Sequence, residues 1–156
     1  NASDNRLRPT EKKHSKPTTR IDVTIHRGDG VDNVPQIQIC NNGRGIPVQL
    51  HQKEGLYIPE LVFGHLLTGS NFSEAQKKVT GGRHGYGAKL TNIFSKRFVV
   101  ETADSVAGLV YRQEWTDNMS TCHPATMTPM SKNQEEYTRI TFVPDLEKLT
   151  RTASTT

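Results

Sequence analysis

An α/β (α+β) two-layer sandwich, with helices on one face of a mixed, mainly antiparallel sheet, is the architecture the sequence predicts. Three observations point there. Five segments alternate apolar and polar residues with the period of a half-buried strand. The first two are neighbours joined through a glycine turn, which makes an antiparallel hairpin. Two further segments carry apolar residues at helical spacing, yet the last three strands follow one another with no helix between them, unlike a repeating βαβ chain.

Along the chain, Ala2 and Leu7 sit among polar residues as at the end of a helix, and Pro9 to Thr19 is a Lys-, Thr- and Pro-rich loop. Arg20–His26 and Val34–Cys40 form the hairpin, turning at Gly28-Asp29-Gly30. Asn41-Asn42-Gly43-Arg44-Gly45-Ile46-Pro47 then breaks the sheet. Pro59 to Leu67 is a helix, with Pro59 suited to its first turn. Thr68 to Arg83 is a polar loop, long enough to imply a function or disorder. Gly85 to Phe94 is the second helix. Arg97–Thr102, Gly108–Trp115 and Thr138–Val143 are strands, residues 117–136 hold a further strand with turns, and Leu149 to Thr156 is a frayed end. Residues 1–148 are expected to form one domain that lacks the start of its first helix, with 149–156 leading out of it.

Composition limits the function. The chain has 156 residues, 33% of them hydrophobic, and 12 glycines, so it is a polar, loop-rich domain or a piece of a larger protein. The apolar runs are only a few residues long, and none reads as a membrane span or signal peptide. Two cysteines, Cys40 and Cys122, make neither a disulfide framework nor a metal-ligand pattern, which fits a reducing compartment. The whole net charge of +4 arises in the first twenty residues. Such an arm suits nucleic acid, although a solvated loop is the plainer reading.

The chemistry concentrates in Gly81-Gly82-Arg83-His84-Gly85-Tyr86-Gly87-Ala88-Lys89. Glycines at the start of a helix let backbone N–H groups approach a phosphate, and Lys89 adds a charge one turn in. A Walker P-loop is disfavoured, because Ala88 precedes Lys89 and Leu90 stands where a hydroxyl should ligate Mg²⁺. A dinucleotide fingerprint is disfavoured as well, because no strand leads directly into these glycines. Taken alone, the run could be a flexible turn. At the end of the second strand, the Asn41 carboxamide has the donor and acceptor needed to read an adenine edge, although Asn-Asn-Gly is also a good turn. Asn1 could offer Mg²⁺ a neutral amide oxygen.

In this order the three features resemble the GHKL ATPases, whose Bergerat fold carries an Asn on a first helix, a D-x-G-x-G element and a G-x-x-G-x-G lid. Asn41 to Pro47, Tyr57-Ile58-Pro59-Glu60, Phe63-Gly64-His65-Leu66-Leu67-Thr68, Lys77 to Arg83 and Gly85 to Leu90 are most similar to the eukaryotic-type topoisomerase II branch. Phe98 to Asp104, Trp115 to Pro124 and Tyr137 to Leu146 continue the likeness, which covers nearly the whole chain.

The resemblance implies an ATP-binding gate whose parent enzyme passes one DNA duplex through a transient break in another. It implies ATP and Mg²⁺ as cofactors, DNA as the partner of the full-length enzyme, a homodimer on ATP binding, no membrane, and a location in the nucleus or, alternatively, an organelle. Asn1 would ligate Mg²⁺, and Asn5 would lie near ribose or phosphate. Asn41 would contact the adenine amino group, with Thr138 across the pocket and Ile46 and Phe63 lining it. Ser70 and Asn71 would approach the ribose and base. Arg83, His84, Gly85, Tyr86, Gly87, Ala88 and Lys89 would wrap the triphosphate. The family's general-base Glu lies four residues before its Mg²⁺-ligating Asn, hence upstream of residue 1, so no catalytic residue is assigned within the chain. The γ-phosphate lysine of the transducer domain and the DNA-cleaving Tyr also lie in absent domains, so this fragment should bind ATP and Mg²⁺ and hydrolyse little alone. Gly69 and His84 stand where the family has Ser and often Asn, and Pro9–Thr19 is longer than usual. A mismatch-repair or chaperone ATPase of the same superfamily is the alternative, and a nucleotide-gated DNA clamp a more distant one.

Overall fold

Alternation decides which side chains share a face, and the register of the strands turns that rule into a layered core. The computed structural model describes residues 17–28, 34–65 and 86–153. Its strands are β1 (Ile21–His26), β2 (Gln36–Asn42), β3 (Ser95–Asp104), β4 (Leu109–Thr116), β5 (Thr121–Cys122), β6 (Thr126–Pro129) and β7 (Tyr137–Pro144). Its helices are α1 (Ile58–Gly64), α2 (Tyr86–Ile93) and α3 (Leu146–Ala153). One seven-stranded sheet runs β1-β2-β7-β3-β4-β5, with β6 also paired to β4. Every pairing among the described residues is antiparallel, which narrows the mixed, mainly antiparallel expectation.

Residues directly opposite in an antiparallel ladder point to the same face. Phe142 therefore shares a row with Ile37, Phe98 and Trp115, and Ile140 shares the next with Ile39, Val100 and Gln113. The row beyond holds Asn41, Thr138, Thr102 and Tyr111. The two apolar rows meet Phe63 of α1 in a core of Phe63, Phe98, Val100 and Trp115, joined at its edge by Ile46, Val62 and Ala88. The Phe98 ring centroid lies 6.0 Å from that of Phe63 and 6.1 Å from that of Trp115, within the range of favourable aromatic pairs. The other face is charged: Arg97 and Arg112 both hold Glu114, and Arg139 holds Glu101. Toward the β1 edge the apolar rows are open, with Val23 and Ile25 exposed.

Three boundaries differ from the sequence reading. The first helix stops at Gly64, with His65 already extended. A Cβ on Gly64 would meet the Trp115 indole at 2.7 Å, so glycine, a poor helix former, is required where the chain crosses that ring. The expected frayed end is instead helical from Leu146 to Ala153. Asp145 accounts for it, because its Oδ1 accepts the Lys148 N–H at 3.2 Å in the manner of an N-cap. Lys148 reaches back to the Ile93 carbonyl at the end of α2. The single strand expected within 117–136 is two short ones, β5 and β6. They follow a turn in which Asp117, Asn118 and Met119 all have positive φ. The turn is held by Asp117 N–H and Asn118 N–H donating to the Lys96 and Ser95 carbonyls, and by Asn118 Nδ2 donating to Asp145 Oδ2. Gly85 and the 68–83 loop expectation lie outside the described residues.

Candidate functional site

At one end of the sheet the row Asn41–Thr138–Thr102 leaves the apolar core and becomes polar. The adjacent asparagines of the strand end divide their work. Asn42 Oδ1 accepts the Thr19 and Arg20 N–H groups at 3.0 and 2.8 Å, and its Nδ2 donates to Thr19 Oγ1, so it ties down the entry to β1. Asn41 is buried and lies opposite Thr138 in the ladder. Its Nδ2 donates to the Asn42 carbonyl at 3.0 Å, which orients the carboxamide.

The loop after β2 folds back onto the end of β3. Ile46 N–H donates to Thr102 Oγ1 at 2.8 Å, and Val48 N–H donates to Asp104 Oδ2 at 2.9 Å. The approach is close enough that a Cβ on Gly45 would sit 2.0 Å from the Ala103 carbonyl oxygen. Thr102 Oγ1 in turn donates to the Tyr137 carbonyl at 3.1 Å and lies 3.4 Å from Thr138 Oγ1. Asn41, Ile46 and Thr138 are thus gathered at one place by β2, the loop and β7. Phe63 is buried in the core beneath, and its carbonyl accepts Asn92 Nδ2 at 3.0 Å. That bond joins the end of α1 to α2.

Of the glycine-rich run, the described part opens α2. Tyr86 and Gly87 are exposed, and Ala88 packs at the core edge. Lys89 is only 3% exposed, and burial pushes its ammonium below the usual lysine range. Among the described residues no carboxylate counters that shift. A buried cation without an anion beside it is costly, and a bound phosphate would relieve the cost. The chemistry of this donor set fits a nucleotide: a carboxamide and a hydroxyl side by side at the sheet end, Ile46 next to them, and a buried lysine on the next helix. Asn1, Asn5, Ser70, Asn71, Arg83, His84 and Gly85 lie outside the described residues. Among the described residues no group of three or more His, Cys, Asp or Glu side chains is placed to hold a metal ion.

Sequence reasoning missed Thr102, Asp104 and Asn92. The first had a signal. Thr102 continues the buried series Phe98–Val100 at strand period, and a hydroxyl on that face must find partners. Asn92, three residues after Lys89, offered no comparable signal.

A family model described as histidine kinase-, DNA gyrase B-, and HSP90-like ATPase matches residues 1–148. DNA topoisomerase 2 of Saccharomyces cerevisiae is 50% identical over 148 residues, covering 95% of this chain and 10% of that protein. A mitochondrial DNA topoisomerase 2 of Dictyostelium discoideum is 47% identical, covering 95% of this chain and 11% of that protein. The chain thus spans about a tenth of the length of these curated relatives. The crystal structure of the ATPase region of the yeast topoisomerase II matches with a TM-score of 0.80 at 49% identity, covering 94% of this chain and 36% of that one.

Proposed function

Because the chain belongs to the histidine kinase-, DNA gyrase B- and HSP90-like ATPase family, we propose that it is the ATP-binding gate domain of a type II DNA topoisomerase. The observation that carries this reading is the 50% identity to a DNA topoisomerase 2 across 148 residues, which favours this branch over the mismatch-repair and chaperone ATPases. In the intact enzyme, ATP binding would bring two such domains together and drive passage of one DNA duplex through a double-strand break in another. The nucleus is the expected location, with an organelle as the alternative that the mitochondrial relative keeps in view. No helix among the described residues is long and apolar enough to cross a membrane.

Each residue has a physical task. Asn41 and Thr138 hydrogen-bond the adenine edge while Ile46 and Phe63 form its apolar floor. Ser70 and Asn71 would approach the ribose and base. Lys89 would neutralise phosphate charge, and the anion would offset the burial that now holds its ammonium below the usual lysine range. Tyr86, Gly87 and Ala88 would bring N–H groups of α2 to the same phosphates, and Arg83, His84 and Gly85 would add to those contacts. Asn5 would approach the ribose or phosphates. Asn1 would hold Mg²⁺ through its amide oxygen, and the ion would supply charge neutralisation. Hydrolysis needs a base to take a proton from water.

Calorimetric titration with a non-hydrolysable ATP analogue, with and without Mg²⁺, tests the proposal. Binding that strengthens with Mg²⁺ is expected. A folded protein that binds no adenine nucleotide under either condition refutes the reading.

A further inference from the structure

We propose that Thr102 determines base specificity, acting as a positioning residue that fixes the hydrogen-bonding polarity of Thr138 and the place of Ile46. The proposal rests on the adenine reading above. Thr102 is fully buried, and its hydroxyl has one proton to donate and two lone pairs to accept with. The proton goes to the Tyr137 carbonyl at 3.1 Å. One lone pair takes the Ile46 N–H at 2.8 Å. The neighbour at 3.4 Å, Thr138 Oγ1, can then approach only as a donor. Its own proton is turned inward, and its lone pairs are left for the base.

Asn41, opposite Thr138, adds a second acceptor: one N–H of its Nδ2 donates to the Asn42 carbonyl, which fixes the carboxamide, and its Oδ1 can accept. Two acceptors side by side suit the exocyclic amine of adenine and oppose the carbonyl oxygen that guanine carries at that edge. The same hydroxyl fixes the place of Ile46 beside them. Ile46 is held by its amide, two residues before Val48, whose amide is held by the buried Asp104 carboxylate. Thr102 thus acts on the base without touching it, through one backbone and one side-chain neighbour.

The test compares Thr102→Val with Thr102→Ser in the full-length protein. The probes are non-hydrolysable ATP and GTP analogues and inorganic tripolyphosphate, which has no base. The valine variant removes the hydroxyl at nearly constant shape and frees the Thr138 proton to point at the base. Its preference for the ATP over the GTP analogue should fall about tenfold, as expected for one misdirected hydrogen bond. Tripolyphosphate affinity should stay within about twofold, and the serine variant should restore the preference. If the valine variant does not fold, Thr102→Cys, whose thiol is a weak donor and acceptor, takes its place with the same expectation in direction. An unchanged preference in a folded variant overturns the proposal and leaves the adenine reading standing. Equal losses for the ATP analogue and tripolyphosphate overturn it too, because they mark a general structural role. A wild-type protein with no preference for adenine overturns both.

Discussion

Replacing Lys89 by Met should move stability and binding in opposite directions. Lys89 is 3% exposed, with an ammonium that burial alone perturbs and that no carboxylate among the described residues offsets. In the nucleotide-free protein that charge is a liability. An apolar side chain of similar length removes the desolvation cost and keeps the packing of the stem, so the unliganded protein should gain about 0.5–2 kcal/mol. The bound state loses a charge-assisted hydrogen bond to phosphate, about 1.5–3 kcal/mol, or roughly 10- to 150-fold in affinity. Urea unfolding without nucleotide and calorimetric titration with an ATP analogue read the two effects separately. The pH dependence supplies a third reading. The folded pKa lies below the usual lysine value of 10.5, so between the two the unfolded chain binds more protons and stability rises with pH. The penalty is complete below the folded pKa and relieved above 10.5, and K89M should flatten this rise. A K89M protein that is less stable by more than about 1 kcal/mol and binds the analogue as before would refute the reasoning, because Lys89 would then be a structural cation with a partner elsewhere.

Three further outcomes are expected. Gly45→Ala places a Cβ 2.0 Å from the Ala103 carbonyl, so the loop must leave β3; a loss of about 1–3 kcal/mol in urea unfolding is expected, and an unchanged midpoint would contradict the geometry. Phe98→Ala opens a cavity among Phe63, Trp115 and Phe142 and should cost about 3–5 kcal/mol, followed through the fluorescence of the lone, buried Trp115. Glu114 has its pKa lowered to about 2, first by its hydrogen bond to Arg97 and, against an opposing desolvation, by that to Arg112. Its stabilisation is therefore present above pH 4.5 and lost as pH falls toward 2. Both arginines are partly exposed, so about 1–2 kcal/mol is expected after screening, and Glu114→Gln should remove that part of the acid slope; an unchanged slope would show that the pair is inconsequential.

What could be read in advance follows the range of the forces involved. Alternation is local, so the pairing of β1 with β2 and the cores of β3, β4 and β7 were legible, as was helix α2 over Tyr86–Ile93. The division between Asn41 and Asn42 needed the register with Thr138 and the contact with Thr19, both far away in sequence. Gly64 ends a helix because of Trp115, a ring 51 residues later that no local pattern includes. α3 was a different kind of miss, since Asp145 is an ordinary N-cap signal that a short polar tail concealed. Thr102 and Asp104 went unnoticed because a polar residue in a strand shows its purpose only when its partners are known. Lys89 was visible as a charge, but its burial was not.

The place of β7 between β2 and β3 has a consequence for how the molecule comes into being. The last strand made is the one that joins the two halves of the sheet, and Gln38 and Thr141, which meet across it, lie 103 residues apart. Closing so long a segment is entropically costly before any contact offsets it, so the final docking should be slow relative to the local hairpins. Asn41 and Thr138 become neighbours in that same event. On the ribosome, therefore, the hairpin and the β3–β4 pair can form early, yet the row that sets Asn41 beside Thr138 exists only once residue 144 has left the exit tunnel. Until then the edges of β2 and β3 present unpaired backbone groups, the features that invite pairing with other chains. A nucleotide added during synthesis would act on the last step alone, by holding β2 and β7 together after they have met.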